Sequence, residues 1–510
     1  MQAKTKTQPY EYFEPVVEGR HEVPIDTEYN LPDYCGDVQR ILKCQVEPEI
    51  SSYSASNEGI ICDGICDIRI LYLDAQGEGI KCCDFSKDFS ALIKTRPTEE
   101  RSVAYVKAVT QHVNCRAMNA RKIDLHISIN LDAYGVIQKS EEITTGIEDL
   151  RIEKRTESIH TAQAVNAVSH TFSLEEYIPL KSGKPPIEQL LRKGISCRIT
   201  GASVAQETLN VEGSVEISFL YTSFTDGVTT EKMTASIPFE QQIDCAGADG
   251  DCICDLKVVC GESNIQPKED NMGECTGVTA FLKLFVVAYI YRNQEIEVIS
   301  DAYSVDRPVE LSYEQSNFMQ IFGEKTANLK DKCEVVVSGE EIREIMDIWY
   351  EQGEVSSYCD KGKLNHRVKY NICVLFTNAQ GRILYIEKPF DATHCVDLED
   401  ERIKKCNSLF DGDIWEYRIT NKNTVEVTLE TNVRTILYSR LATKRLVSAE
   451  MDETGESVAK KAKLLIYYAY EGERLWDIAK SHQALISDIR DQNELYEDTI
   501  SKAGPIIICG

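Results

Sequence analysis

The sequence predicts a mainly β protein: three tandem β-rich domains, each with one short helix, followed by a small C-terminal βααβ module. Three observations lead there. A strand motif recurs at intervals of 149 and 155 residues, an apolar triplet at helical spacing precedes each copy by 26 residues, and the pattern changes after Lys463. Units of about 150 residues are tandem domains rather than solenoid repeats, because each is large enough to bury its own core.

The first copy reads Asp63-Gly64-Ile65-Cys66-Asp67-Ile68-Arg69-Ile70-Leu71-Tyr72, and the second Glu212-Gly213-Ser214-Val215-Glu216-Ile217-Ser218-Phe219-Leu220-Tyr221. The third, Val368 to Phe376, is weaker. Ahead of each lie Val38/Ile41/Leu42, Ile187/Leu190/Leu191 and Ile342/Ile345/Met346. Positions i, i+3 and i+4 share a helix face, so each triplet predicts a short amphipathic helix. Turn residues follow each motif at Asp74–Gly77, Thr225–Gly227 and Asn378–Gly381. A late strand then closes each unit, at Ile123–Ile129, Ala280–Tyr289 and Thr424–Val433. The first and third alternate apolar with polar, as a half-buried strand does, whereas the middle one is apolar almost throughout and predicts burial on both faces. The domains are placed at 1–155, 156–315, 316–455 and 463–510.

Composition narrows the functional classes. Hydrophobic residues at 42% and charged residues at 27% describe an ordinary globular chain. With 83 acidic against 56 basic residues the net charge is −27, which repels phosphate and argues against nucleic acid or an anionic bilayer as partner. The longest apolar run, Phe281 to Tyr291, contains Lys283 and is too short for a transmembrane span, and no secretory signal is visible behind Met1, so a cytoplasmic location is expected. The 19 cysteines include no CxxC pair, and they read as reduced thiols serving as small core residues rather than metal ligands.

No nucleophile elbow, zinc-protease helix, phosphate-binding loop or dinucleotide fingerprint occurs. His394-Cys395 are strand neighbours whose side chains point to opposite faces, and His112 with Cys115 falls in a strand or turn. The acidic stretches Asp397/Glu399–Glu401 and Glu340-Glu341 lack the alternation and glycine bend of a calcium loop. The expectation is a protein without catalytic residues, metal or cofactor.

The tail carries the most specific pattern. Leu464–Tyr470 reads as a strand, Glu471–Glu473 as a turn, Leu475–Lys480 as a helix with Leu475, Ile478 and Ala479 on one face, and Asp488–Gln492 as a second helix capped by Ser487, before a final strand at Ile506–Ile508. With Tyr468, Gly472, Glu473, Trp476, Asn493, Leu495 and Gly504 at their spacings, the segment resembles a LysM domain. Arg474 stands where that family usually has threonine, and Cys509 where it usually has proline. The resemblance implies a ligand groove between two loops, formed by Gly472, Glu473, Arg474 and Leu475 on one side and Asn493, Glu494, Leu495 and Tyr496 on the other.

Three strand-rich units ahead of a terminal LysM resemble the SipL type of clostridial sporulation protein, whose units are SPOCS domains. The resemblance implies a non-enzymatic adaptor of spore coat and cortex morphogenesis on the mother-cell side of the forespore surface. It would dock a SpoIVA-type coat ATPase through the LysM domain. The alternative is a glycan-binding protein that recognises N-acetylglucosamine in peptidoglycan and targets cell wall or cortex.

Overall fold

A computed structural model describes residues 5–509 apart from 57, 77–78, 97–101, 149–151, 225–226, 307–308 and 452–463. The first unit comprises β1 (Thr5–Asn30), β2 (Val38–Ala55), β3 (Gly59–Asp74), β4 (Ile80–Lys94), β5 (Val103–Asn119) and β6 (Lys122–Ile147). The second comprises β7 (Ile152–Pro179), β8 (Gln189–Ala205), β9 (Thr208–Ser223), β10 (Thr229–Asp244), β11 (Cys252–Glu269) and β12 (Cys275–Ser304). The third comprises β13 (Val309–Val336), β14 (Ile342–Asp360), β15 (Lys363–Asn378), β16 (Ile383–Asp397), β17 (Lys405–Asn421) and β18 (Thr424–Met451). The tail adds β19 (Leu464–Ala469), α1 (Leu475–His482), α2 (Ile486–Asn493) and β20 (Gly504–Cys509).

All three units share one topology. The second, third and fourth strands form an antiparallel meander, while the sixth lies between the first and the fifth. The two three-stranded sheets face each other across a core. In the first unit that core takes Val46, Ile68, Ile70 and Tyr72 from one sheet and Val106, Ile127 and Ile129 from the other. The third motif is followed by the turn expected of it, where Gly381 takes φ +76° and donates to the Asn378 carbonyl. Gly77, Thr225 and Asp226 of the other two turns lie outside the described residues.

The predicted short helix of each unit is absent: Val38, Ile41 and Leu42 lie in β2, Ile342, Ile345 and Met346 in β14, and Leu190 and Leu191 in β8, with Ile187 just ahead. Beta bulges produce the helix-like spacing. In β2 the register skips Gln39 and Leu42, so Val38, Ile41 and Cys44 stand opposite Asp74, Tyr72 and Ile70 on the core side. Each bulge adds one residue to the alternation of a strand and turns a period of two into a step of three. In β14 the skipped residues are Arg343 and Met346, and in β8 Leu191. The bulged residues Leu42, Leu191 and Met346 are thereby expelled from their own cores to the outer face.

The motif itself is explained by cross-strand packing. Tyr72, Tyr221 and Phe376 are buried at the same repeat position, each contributing roughly 1.5–3 kcal/mol by leaving water. The Tyr72 hydroxyl donates to the Gly36 carbonyl and the Tyr221 hydroxyl to that of Pro185, which lets two phenols reside in an apolar core. Gly64 faces Phe89 and Gly213 faces Phe239, and each ring lies where a Cβ would sit. In the third unit the volumes are exchanged: Val368 pairs with Ala392. The glycine of the motif is therefore half of a glycine–aromatic pair, and its loss in the third copy is compensated across the strand.

The units close on one another in a ring. Strand β4 approaches β8, β10 approaches β14, and β16 approaches β2. The expelled residues meet at the centre, where Leu42, Leu71, Leu191, Leu220 and Leu375 form one buried cluster with Met346 packed against it. Opposite Leu71, Leu220 and Leu375 stand Lys43, Arg192 and Asp347, at one shared register position. The chain is thus an intramolecular trimer with approximate three-fold symmetry. Along the same axis the long first and sixth strands bundle together: Val136, Tyr289 and Ile436, one from each unit, share a second buried cluster. This accounts for the continuous apolar run of β12. Leu282, Leu284 and Val286 face its own core, whereas Val287, Tyr289 and Tyr291 face the neighbouring units.

Charge breaks the symmetry. Arg192 Nε lies 2.6 Å from the Asp347 carboxylate, with both side chains almost wholly buried, and Lys232 Nζ reaches the same carboxylate at 2.7 Å. Lys43 Nζ instead contacts Glu351 and Glu387, each at 2.9 Å. Between the first and second units Lys193 pairs with Asp67 at 2.7 Å and Gln189 donates to the Cys82 carbonyl. Because each joint carries different partners, a wrong ordering of the three units would leave buried charges unpaired, at a cost of several kcal/mol.

Candidate functional site

Among the described residues both helices lie in the tail, which runs strand, helix, helix, strand. Its β19 and β20 pair antiparallel, and Leu475, Ile478, Ala479, Ile489, Ile506 and Ile508 form its core. Gly472, with φ +82°, turns the chain out of β19, and its N–H donates to the Ile500 carbonyl. Ser487 falls inside α2 rather than capping it; the cap position is Leu485, with no side-chain bond.

The loop ahead of α1 is held by its own residues. Glu473 accepts hydrogen bonds from the Tyr467 hydroxyl at 2.7 Å and from the Tyr470 N–H at 3.0 Å, and its carboxylate raises the Tyr467 phenol above its usual range. Arg474 bridges to Thr499, and the Leu475 N–H donates to the Asp498 carbonyl. The first loop is therefore stitched to residues 498–500.

The eight predicted site residues divide accordingly. Leu475 is buried and Leu495 packs against the core, so neither presents a surface to a ligand. The Asn493 amide is consumed within the fold: its Nδ2 donates to the carbonyls of Ile489 and Ile507, and its Oδ1 accepts from the Ile507 N–H. Gly472 and Glu473 shape the loop. Glu494 takes the left-handed conformation that ends α2, with φ 52°. What remains outward is Arg474, exposed with no ion pair among the described residues, together with Glu494 and Tyr496, the latter 90% exposed. Tyr470, also exposed, flanks the first loop.

Two features were not foreseen from the sequence. Trp476 does not simply fill the tail's core: its indole N–H donates to Asp301 at 2.8 Å and its ring meets Tyr303 edge-on at 5.0 Å. Lys480 Nζ contacts the same carboxylate at 2.6 Å, and the Tyr303 hydroxyl donates to the Ala484 carbonyl. Burial works against the Asp301 carboxylate, yet Lys480 and Trp476 hold its carboxyl below the usual range. The tail is thereby seated on the end of β12. The second feature is the outer face of the two-stranded sheet, where Leu464, Ile466 and Tyr468 are exposed and Ile507 lies opposite Ile466. A signal existed in Leu464–Tyr468, which is apolar at both alternations although only one face of a small module has a core to join.

The other candidates are placed as structural groups. His394 pairs with Asp331 at 2.8 Å, Asp400 with Arg402 at 2.6 Å, and Glu341 with Lys422 at 3.0 Å. Glu351, Cys373 and Glu387 come together with ligand-like spacing, but the Lys43 ammonium already bonds both carboxylates, each at 2.9 Å. No helix among the described residues is long and apolar enough to cross a membrane.

No curated protein and no solved structure matches the chain. Residues 37–118 and 186–267, which span the second to fifth strands of the first two units, match the family described as SipL, SPOCS domain, twice in tandem, and this points to a sporulation-related protein.

Proposed function

We propose that this chain is a non-enzymatic adaptor of spore-envelope morphogenesis on the mother-cell side of the forespore. In this reading the ring of three SPOCS-like units is a rigid body, and the LysM-like tail docks a SpoIVA-type coat ATPase. The tandem family match is the observation that carries the reading. The third unit, with the same strand order and the same closing contacts, is read as a third SPOCS-like copy. The LysM assignment rests on the strand–helix–helix–strand order and on the residue pattern around Gly472 and Asn493.

Within the tail, the docking surface is Arg474 with Tyr496 and Glu494. An unpaired guanidinium on a chain of net charge −27 is a local attractor for an acidic partner surface, and the exposed tyrosine of the second loop offers apolar contact area. The test uses the full chain with Arg474→Ala and Tyr496→Ala, titrated against a purified SpoIVA-type ATPase and sedimented with peptidoglycan in parallel. The expected result is at least about tenfold weaker binding to the ATPase, the loss of roughly 1.4 kcal/mol of interface energy, with unchanged circular dichroism. Sedimentation with peptidoglycan that is lost in the Tyr496 variant, with no ATPase binding, would instead establish the glycan-binding alternative.

A further inference from the structure

The joint between the second and third units holds a cavity of about 380 Å³. Its walls are β7, β12, β13 and the loop ahead of β17. These walls are pinned together across the joint. The Gln320 amide on β13 donates to the His160 carbonyl on β7 at 2.7 Å, and the Asn293 amide on β12 donates to the Ile321 carbonyl on β13 at 3.2 Å. Arg402 supplies the loop side: its guanidinium lies over the Phe322 ring at 5.4 Å and donates to Asp400 at 2.6 Å. The volume falls at the lower end of the roughly 300–1,000 Å³ of small-molecule pockets, which is room for one or two sugar rings.

We infer that this cavity binds a neutral, polyhydroxylated small molecule of the mono- or disaccharide class. Gln294 lines it with an amide nitrogen that is buried and has no acceptor among the described residues. A buried donor left idle costs folding energy and is ordinarily paired. The broad terminal torsion of a glutamine lets that amide turn toward an oxygen seated in the cavity. Asn293 spends its N–H on Ile321, and His160 its backbone carbonyl on Gln320, which leaves the Asn293 side-chain oxygen and the His160 ring for a ligand. Amides and a neutral imidazole offer donors and acceptors together, which is what a row of hydroxyl groups requires. The charges of the lining are committed elsewhere. Arg402 is held by Asp400, while Glu295 accepts from the Ser158 hydroxyl and stands opposite His160 across the ladder. On a chain of net charge −27 that leaves no uncommitted guanidinium to attract a phosphate or carboxylate. Only Ile321 and Phe322 of the lining are apolar, and Arg402 covers the Phe322 ring, so an apolar ligand would gain little. None of the lining residues belongs to the tail, and the site stands apart from the adaptor reading.

The experiment records saturation-transfer difference NMR on the full chain with glucose, N-acetylglucosamine, maltose and trehalose, and with glucose 6-phosphate as the anionic comparison. Transfer is expected from at least one neutral sugar, and weaker transfer or none from the phosphate. Gln294→Leu and Asn293→Ala are each expected to weaken the titrated affinity about fivefold or more, as for one hydrogen bond lost. Gln294→Leu should do so at an unchanged or raised melting temperature, because it removes an unpartnered donor. His160→Ala, at an exposed position, keeps the test open should either amide variant melt early, and it too should weaken binding. Tyr496→Ala in the tail is expected to bind as wild type does. Absence of transfer from all four neutral sugars, an affinity unmoved by both Gln294→Leu and His160→Ala, or stronger binding of glucose 6-phosphate would each overturn the inference. Loss in Tyr496→Ala alone would also overturn it and move the sugar to the tail.

Discussion

Replacing Gly64 by alanine adds one methyl group at the centre of β3. That methyl would lie 2.7 Å from Cε1 of Phe89 and 2.5 Å from the Glu49 carbonyl oxygen. Ordinary Cβ contacts begin at 3.4 Å, so the ring and the β2 backbone must together retreat by nearly an ångström. The ring is buried and the carbonyl belongs to a strand held by its ladder, so neither yields freely. Overpacking of this kind costs about 1–3 kcal/mol, and two opposed rigid neighbours place Gly64→Ala at the upper end. Phe89→Ala alone should cost about 3–5 kcal/mol through the cavity it leaves. In the double variant the new methyl partly occupies that cavity, so the cycle should show a favourable coupling of about 1–2 kcal/mol. Urea unfolding followed by far-ultraviolet circular dichroism measures all four corners. The double variant stays below wild type, because β14 places its bulge between Gln352 and Val355, ahead of the Val368 position, whereas β2 places its own between Ile50 and Ser52, beyond Gly64. Costs that add to within about 0.5 kcal/mol would refute the glycine–aromatic account and leave the backbone contact as the whole reason for glycine.

Arg192→Met strips the buried Asp347 of its closest partner and should destabilise by about 3–5 kcal/mol in denaturant unfolding, whereas adding Asp347→Leu should restore most of it. His366 is buried, hydrogen-bonded to Ser357, and held at a pKa of about 4 by burial first and by His394 second. The unfolded chain then binds its proton below about pH 6.5 and the folded chain only below about pH 4, so stability falls as pH drops through that window. The loss is on the order of 3 kcal/mol when complete, and comparing urea midpoints of wild type and His366→Gln at pH 7 and pH 4.5 should show a flatter dependence in the variant. Trp476→Ala removes the indole bond to Asp301 and the edge contact with Tyr303. Hydrogen exchange in residues 464–509 should accelerate about tenfold, corresponding to about 1.4 kcal/mol of lost docking, while exchange in the three units stays unchanged.

Much of this was legible in the chain alone. The repeat period and the alternation of the late strands are written in local residue order, because the two-residue period of a strand is a property of each strand by itself. The strand–helix–helix–strand order of the tail was readable for the same reason, since Leu475, Ile478 and Ala479 show a true helical face. The triplets at Val38, Ile187 and Ile342 misled because periodicity records which side chains are apolar and not why. A bulged strand with an apolar residue at each displaced position mimics i, i+3, i+4 over one turn, and only cross-strand register separates the two. The glycine–aromatic exchange was hidden likewise: Val368 looks like a weakened motif until Ala392 is placed opposite it. Tertiary structure alone decided that Leu42, Leu191 and Met346 converge, that Lys43, Arg192 and Asp347 share a position with different partners, and that Trp476 reaches out to Asp301. These contacts join residues more than a hundred positions apart. Their energies depend on distance and burial across the closed ring, and those quantities come into being only when the units pack.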